Sequence, residues 1–293
     1  MQPSRTGWRG SGAAFWACLI ALGLGLAHAA QAQDRTPPGE TLELRFLDVG
    51  QADAALIRLG RRAVLVDAGR GDDIVQVLEE LGIDSLVAAI TSHNHDDHLG
   101  GMDAVLADYP VGQYFDNGRT PTNANARSVQ DVLARRQVPR PPPPWPPFQL
   151  GDARVTVFPT SLGADSASEN NSSLGVLVER GGFKALFTGD SEVEELNAWM
   201  GEGLIPDVDV LKAAHHGARN GVTPGWVNVT RPEVVVISVG AGNSYGHPDP
   251  WALRYYAVHQ ARVFRTDLDG TVVVTVDGVG NYEVRTLGAR VRE

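Results

Sequence analysis

His93, His95, Asp96, Asp97 and His98 put three imidazoles and two carboxylates into six residues of the stretch T-S-H-N-H-D-D-H-L-G-G, residues 91–101. Nitrogen and oxygen donors of this kind suit zinc, with manganese or iron as alternatives. His93 and His95 are two apart, so in an extended segment both rings point to one side. Asp97 and His98 follow once the chain has begun to turn and face a neighbouring point. That spacing suits two divalent ions side by side, roughly 3.5–4 Å apart as in two-metal hydrolytic centres. A solvated polar loop is the plain alternative, and so dense a run of ligand types argues against it.

Three further motifs carry candidate chemistry. F-T-G-D ends at Asp190, directly after the apolar run Phe183 to Phe187. A carboxylate there has two oxygens and can bridge two ions. Its other available role is to cap a helix starting near Glu192, which Ser191 would do equally well. L-K-A-A-H-H-G puts His215 and His216 at the end of another apolar run. Adjacent strand residues face opposite sides, so one of the pair is expected at the metals and the other packed or hydrogen-bonded behind it. His216, nearer the turn, is the choice, as a ligand or as a donor to charge developing on substrate. Lys212 is a second candidate for holding substrate oxygens. N-S-Y-G-H-P carries His247, which is either a turn histidine or the last ligand of the second ion, beside Asp97 and His98.

Such groups converge only if rigid elements hold their loops. Leu42, Leu44 and Phe46 alternate with polar neighbours, as in a half-buried strand ending at Asp48. Strands at 54–59 and 63–66 follow, then a helix carrying Ile74, Val75, Leu78 and Leu81 and stopped by Gly82. The apolar run 86–90 leads into the histidine motif. Helices are expected at 101–107 and 129–136. The segment 139–147, with seven prolines and Trp145, can be neither regular helix nor sheet and is read as an extended crossing between two halves. Strands then return at 153–158, 173–179, 183–188, 208–213 and 234–239, with helices at 192–200 and 251–260. The late strands 263–265, 271–276 and 282–285 are expected to close the second sheet. Two halves, each a sheet followed by helices, give an α/β fold: a four-layer αββα sandwich in one domain, residues 33–293.

The pattern H-x-H-x-D-H resembles the signature of the metallo-β-lactamase superfamily. The ordered set D-V-G-Q-x-D, S-H-x-H-x-D-H-x-G-G, N-N-S-S-L, L-F-T-G-D, L-K-x-x-H-H-G, Y-G-H-P and R-T-D-x-D-G, between Leu42 and Val276, is more narrowly similar to the hydrolase domain of ComEC-type DNA-uptake proteins. Ala52 stands where that family commonly has glycine. The resemblance implies a metal-bound hydroxide attacking a phosphodiester, with nucleic acid, DNA first, as substrate. It also implies that Asp190 bridges the ions and that Asp48, Asp53 and Asp67 support the ligands from outside; ordinary turn aspartates are the alternative, above all for Asp53. The superfamily generally has another histidine between its first motif and the bridging aspartate, yet none occurs from residue 99 to 214. Asn170 or Asn171 stands there instead, as a weak ligand or only part of a turn. The first ion is then left with His93, His95 and Asp190.

Residues 1–32 read as a signal peptide: Arg5 and Arg9, a 15-residue apolar run from Ala13 to Ala27, then small residues to Ala29 and Ala32. The run is short for a membrane span of about 20 residues, and a signal anchor is the competing reading. The chain is thus expected to be exported, to the periplasm or beyond, as a free-standing protein without stable membrane insertion. Cys18 is the only cysteine and lies inside that run, so neither disulfides nor thiolate ligands are expected in the mature chain. Without Arg5 and Arg9 there are 23 basic and 35 acidic residues, a net charge of −12. That argues against a broad basic groove for long nucleic acid but not against a phosphodiester met by bound cations. A small-molecule hydrolase of esters, lactones or β-lactams with the same centre, and a non-catalytic metal- or partner-binding protein, remain as alternatives. Oligomeric state is open.

Overall fold

A computed structural model describes residues 39–162 and 168–288; the expected signal peptide lies outside them. The period-two pattern of Leu42, Leu44 and Phe46 forms β1 (Leu42–Phe46) with its apolar set buried. β2 (Ala54–Leu59) and β3 (Arg62–Ala68) make an antiparallel hairpin beside it. Then come α1 (Asp73–Glu80), β4 (Ala88–Ile90), α2 (Asp96–Leu99), α3 (Met102–Asp108), β5 (Tyr114–Phe115) and α4 (Ala124–Arg136). α4 begins ahead of the expected Val129 because Asn123 caps it, its side chain accepting from Ala126 N at 2.7 Å.

The proline segment makes the expected crossing. Tyr114 N donates to Pro139 O at 2.8 Å, and Trp145 packs edge-on against Phe115, 5.3 Å between centroids. Beyond it lie β6 (Phe148–Leu150), β7 (Ala153–Phe158), β8 (Gly175–Arg180), β9 (Phe183–Phe187), α5 (Val193–Gly201), β10 (Val210–Lys212), α6 (Pro224–Thr230), β11 (Val234–Ile237), α7 (Pro250–Val258), β12 (Arg262–Arg265), α8 (Thr266–Asp269), β13 (Val272–Val276) and β14 (Tyr282–Thr286).

Two mixed seven-stranded sheets result, in the orders β14-β13-β1-β2-β3-β4-β5 and β12-β11-β10-β9-β8-β7-β6. Leu44, Ile57 and Val64 from one sheet meet Val155, Val178 and Val236 from the other in the inner core. α1, α3 and α4 cover the outer face of the first sheet, and α5, α6 and α7 that of the second. The αββα sandwich expected from the sequence is the fold found.

One expectation fails. β13 and β14 do not close the second sheet; they join the first, where β13 pairs antiparallel with β1 from Leu42↔Val276 to Phe46↔Val272. β1 has β2 on one side only, and its other edge of N–H and C=O groups needs a partner. Alternating Val272, Val274 and Val276 supply one whose apolar face also reaches the inner core.

Five strand ends matter most for function. β3 and β4 run parallel, as do β9, β10 and β11; Asp67 is the last residue but one of β3, and the loops after the other four carry His93–His98, Asp190, His215–His216 and His247. Phe46 and Phe187, each the last residue of its strand, stack at 5.3 Å between the sheets and tie the two sets together.

On the outer layer, Glu195 of α5 is fully buried and accepts from Ser161 N at 2.8 Å and Leu162 N at 3.3 Å. Burial pushes its carboxyl up to about 7, against the pull of those two donors. The raised value means stability is fully present below the unfolded value of 4.5 and is lost as pH rises to about 7. The expected loss is on the order of 3 kcal/mol. Glu195→Gln should flatten it in urea midpoints taken from pH 4.5 to 8; an unchanged slope would mean that Glu195 ionises normally.

Candidate metal centre

β4 is three buried residues, too short to carry the chain far, and it delivers Thr91 and Ser92 to the floor of the site. His95 is the extended N-cap residue of α2, and the helix turns Asp97 and His98 away from it. The two rings before the helix meet as their spacing predicts: His93 Nε2 lies 3.0 Å from His95 Nδ1. His93 is buried, which together with nearby His98 holds its imidazole well below the usual value and therefore neutral.

Asp190 stands at the centre. Its Oδ1 lies 3.1 Å from His98 Nε2, and its Oδ2 lies 3.6 Å from His216 Nε2 and 3.8 Å from His215 Nε2. Asp97 Oδ2 is 3.6 Å from the same His216 nitrogen. Burial pushes the Asp190 carboxyl up, but His98 and His216 together hold it well below the ordinary range. The capping alternative does not hold, since the cap position of α5 is Glu192 and its N–H is taken by Asn171 Oδ1 at 2.9 Å.

Both central imidazoles are fixed from behind. His98 Nδ1 donates to Asp67 Oδ2 at 2.8 Å, and Asp67 also accepts from Ser92 N and Ser92 Oγ. His216 Nδ1 donates to Ser238 O at 2.9 Å with Asp53 Oδ1 at 3.3 Å. Each therefore presents Nε2 forward, the arrangement in which an outer partner fixes a metal-binding tautomer. Asp67 adopts a left-handed φ of 57° to do this, the kind of strain that collects at functional sites.

The adjacent histidines depart from the alternation argument. β10 stops at Lys212, and His215 and His216 sit in a turn with φ of 49° and 52°. Off the strand, neither is bound to a face, and both line the same open pocket of roughly 340 Å³. His95, Asp97, Asp190 and His247 line it too. Burial and the neighbouring His215 and His216 hold His247 below the usual histidine value.

Lys212, expected to face substrate, does not line that pocket. It is buried and ion-paired with Asp53, beside a void of roughly 10 Å³ between the sheets. Burial pushes the Asp53 carboxyl up, but Lys212 and His216 bring it down to about 2. This aspartate is no ordinary turn residue. Asp48 Oδ1 accepts from Gly50 N at 3.4 Å, and its backbone N–H donates to Thr271 Oγ1 at 3.0 Å.

Residues 169–173 work as a buttress. Glu169 accepts from Asn94 N at 2.9 Å and pairs with Arg119, holding the backbone of the histidine loop. Asn170 lines the pocket 3.4 Å from His215 Nε2, whereas Asn171 points away to cap α5. Ser173 Oγ accepts from Asp190 N at 3.1 Å and lies 3.4 Å from His93 Nδ1. Ser92, Ser173, Gln51 and Tyr245 stand inside the motifs with no role of their own legible there, and Glu169 and Arg70 stand outside them. Arg70 follows Asp67 at the end of β3, and that strand-end position was the available signal; its Nη2 reaches Asp97 Oδ2 at 3.4 Å.

These residues fit a divalent cation. His93, His98 and Asp190 form one group, and Asp97, His98 and His216 another, with donor atoms within 4.8 Å of one another. His98 Nε2 and Asp190 Oδ1 face each other at 3.1 Å as an ion pair, and neither they nor buried His216 Nε2 and His247 Nδ1 make a well-aligned hydrogen bond among the described residues. Such atoms are costly unless something pairs with them.

The close approach of these loops depends on Gly189, with φ of 50°, where an added Cβ would lie 2.7 Å from Ser92 Cβ and 3.0 Å from Ser173 Oγ. Gly189→Ala is expected to cost about 2 kcal/mol or more through backbone strain and that collision. A thermal midpoint equal to wild type would show that the loops can part without penalty.

Residues 47–240 match the metallo-β-lactamase superfamily, and the chain belongs to it. It is 28% identical over 258 residues to ComE operon protein 3 of Bacillus subtilis, covering 78% of this chain and 32% of that protein. It is 27% identical over 290 residues to competence protein ComA of Neisseria gonorrhoeae, covering 97% of this chain and 38% of that protein. The chain thus spans about a third of the length of these relatives. The resemblance to ComEC-type proteins expected from the motifs is found in these competence relatives. Among solved structures, the metallo-β-lactamase fold protein YhfI of Bacillus subtilis superposes with a TM-score of 0.54 at 11% identity, over 84% of this chain and 99% of that one. The chain is a metal-dependent hydrolase by family. No helix among the described residues is long and apolar enough to cross a membrane.

Proposed function

We propose that this protein hydrolyses phosphodiester bonds in nucleic acid, DNA first, with two divalent ions, zinc in preference to manganese or iron. The observation that carries the reading is the convergence on Asp190 of His98, His215 and His216 at the floor of an open pocket. His93, His95 and Asp190 would hold one ion, and Asp97, His98, His247 and Asp190 the other, with His216 as a further ligand or donor. Bound there, such ions supply Lewis acidity and bring the pKa of water down to about 7.

The chain's own groups do the rest. Asp67 and Asp53 hold the imidazoles of His98 and His216 in place, and Lys212 compensates the buried charge of Asp53. Arg70, half exposed at the pocket mouth, can take a non-bridging phosphoryl oxygen. His215, part exposed with Nε2 toward Asp190, is placed to give a proton to the leaving alkoxide as the P–O ester bond breaks. Similarity to competence proteins over most of the chain favours phosphodiesters over esters, lactones or β-lactams. Export under a signal peptide at residues 1–32, with one hydrolase domain after it, belongs to the same proposal.

The test is turnover of bis(p-nitrophenyl) phosphate and single-stranded DNA against nitrocefin and a lactone panel, under chelation and metal add-back. Metal-restored cleavage of the first two is expected. Turnover of only the last two would overturn the reading, and stoichiometric metal without any turnover would make the protein a binder.

A further inference from the structure

The pocket does not end at the metal centre. Past His215, Tyr245 and His247 it opens into a trough of roughly 590 Å³, lined also by Arg219, Asn220 and Asp249. Two features there offer no ligand atom to the centre. Tyr245 is 61% exposed, its ring stacked on His247 at 5.8 Å and its backbone N–H held by Asn243 Oδ1 at 3.2 Å. It presents a flat face to solvent at the rim of an otherwise polar pocket. Beside the trough, the guanidinium of exposed Arg219 lies 4.9 Å from the ring centroid of Trp251, itself 39% exposed.

We propose that this trough is a subsite for the nucleotide next to the scissile phosphodiester of a single strand, with Tyr245 stacking on the unpaired base and Arg219 meeting the adjoining phosphate. The proposal rests on the phosphodiesterase reading and adds where the strand runs. The chain as a whole is acidic, with a formal net charge of −10, and Asp96 and Asp249 also face the pocket and trough. A long-range field therefore cannot hold a polyanion here. Stacking is indifferent to net charge, because every base offers a π-face. Among the described residues that line the pocket and trough, Arg70 at the mouth and Arg219 along the trough supply the guanidinium cations. Asp249 is already engaged, accepting from Trp251 N at 2.7 Å.

The test is binding of a fluorescein-labelled phosphorothioate oligothymidylate to the metal-replete protein, read by anisotropy across a salt series. Tyr245→Ala should weaken binding by roughly 10-fold, the scale of one stacked base, while Tyr245→Phe keeps wild-type affinity. Arg219→Gln should weaken binding and lower the slope of log K against log salt by about 0.7. Unchanged affinity in both Tyr245→Ala and Arg219→Gln would overturn the subsite, as would absence of binding by wild type. So would an equal loss on a duplex of the same sequence. A wild-type protein that binds the strand in this way but cleaves neither the unmodified oligothymidylate nor bis(p-nitrophenyl) phosphate sinks the phosphodiesterase reading and leaves the subsite standing as a binding site.

Discussion

Asp190→Ala is expected to lower phosphodiester turnover by roughly 10³-fold or more, about 4 kcal/mol of transition-state stabilisation, in a protein that still folds. The size follows from position. One carboxylate presents Oδ1 to His98 and Oδ2 to His215 and His216, and of the neighbouring carboxylates Asp97 meets His216 but not His98 at comparable range. The fold should survive because the loop is held by its backbone. Asp190 N donates to Ser173 Oγ, and Gly189 O accepts from His215 N at 3.2 Å. Asp190→Asn keeps the shape and removes the charge, so its loss should be as large. Turnover of bis(p-nitrophenyl) phosphate beside a thermal melt measures both quantities. Activity within tenfold of wild type in either variant would remove Asp190 from the chemistry.

Stripping divalent ions with a chelator should lower the melting temperature by roughly 8–16 °C, with recovery on add-back. Filling a site at about 1,000 times its dissociation constant adds ~4 kcal/mol, and each kcal/mol is worth about 2–4 °C in a chain of this size. The structural reason is the crowding of Asp53, Asp97 and Asp190 in one buried cluster. Without ions that charge is met by protons on histidines. Burial pushes His216 down, but Asp190 and Asp53 push it up further, to about 10. His98 is likewise held well above its usual value by Asp190 and Asp67 against burial. Ions must displace those protons, so their affinity should fall as pH falls. In Asp190→Ala the shift should shrink to about 2 °C or less. Identical melts with chelator and with zinc, manganese or iron would defeat the two-ion proposal without any appeal to turnover.

Much of this was legible before any coordinates. The alternation in Leu42–Phe46 and the continuous apolar runs of β10 and β11 marked half-buried and fully buried strands, and they are found so. The histidine cluster was legible because ligand residues were packed too densely for a surface loop. What stayed hidden was either long-range or backbone-driven. Nothing local in Val272–Val276 tells which sheet it joins; that is decided by the vacant edge of β1. The alternation rule misjudged His215 and His216 because it assumed that the strand continued, whereas the chain had already entered a left-handed turn. Lys212 looked like a substrate contact from its place in the motif, but its direction was set by Asp53, far off in sequence. Asn170 and Asn171 could not be told apart as neighbours; one lines the pocket and the other caps α5.

The return of β13 to the side of β1 also sets an order of events. The earliest strand of the fold has to wait for almost the last, with Leu42 finding Val276 only after the polypeptide between them has been made. Contacts that distant in sequence close slowly. Until they do, β1 remains an open template for another chain. A molecule assembled in this way reaches its finished state as a whole, late in its own production, instead of growing from its leading end.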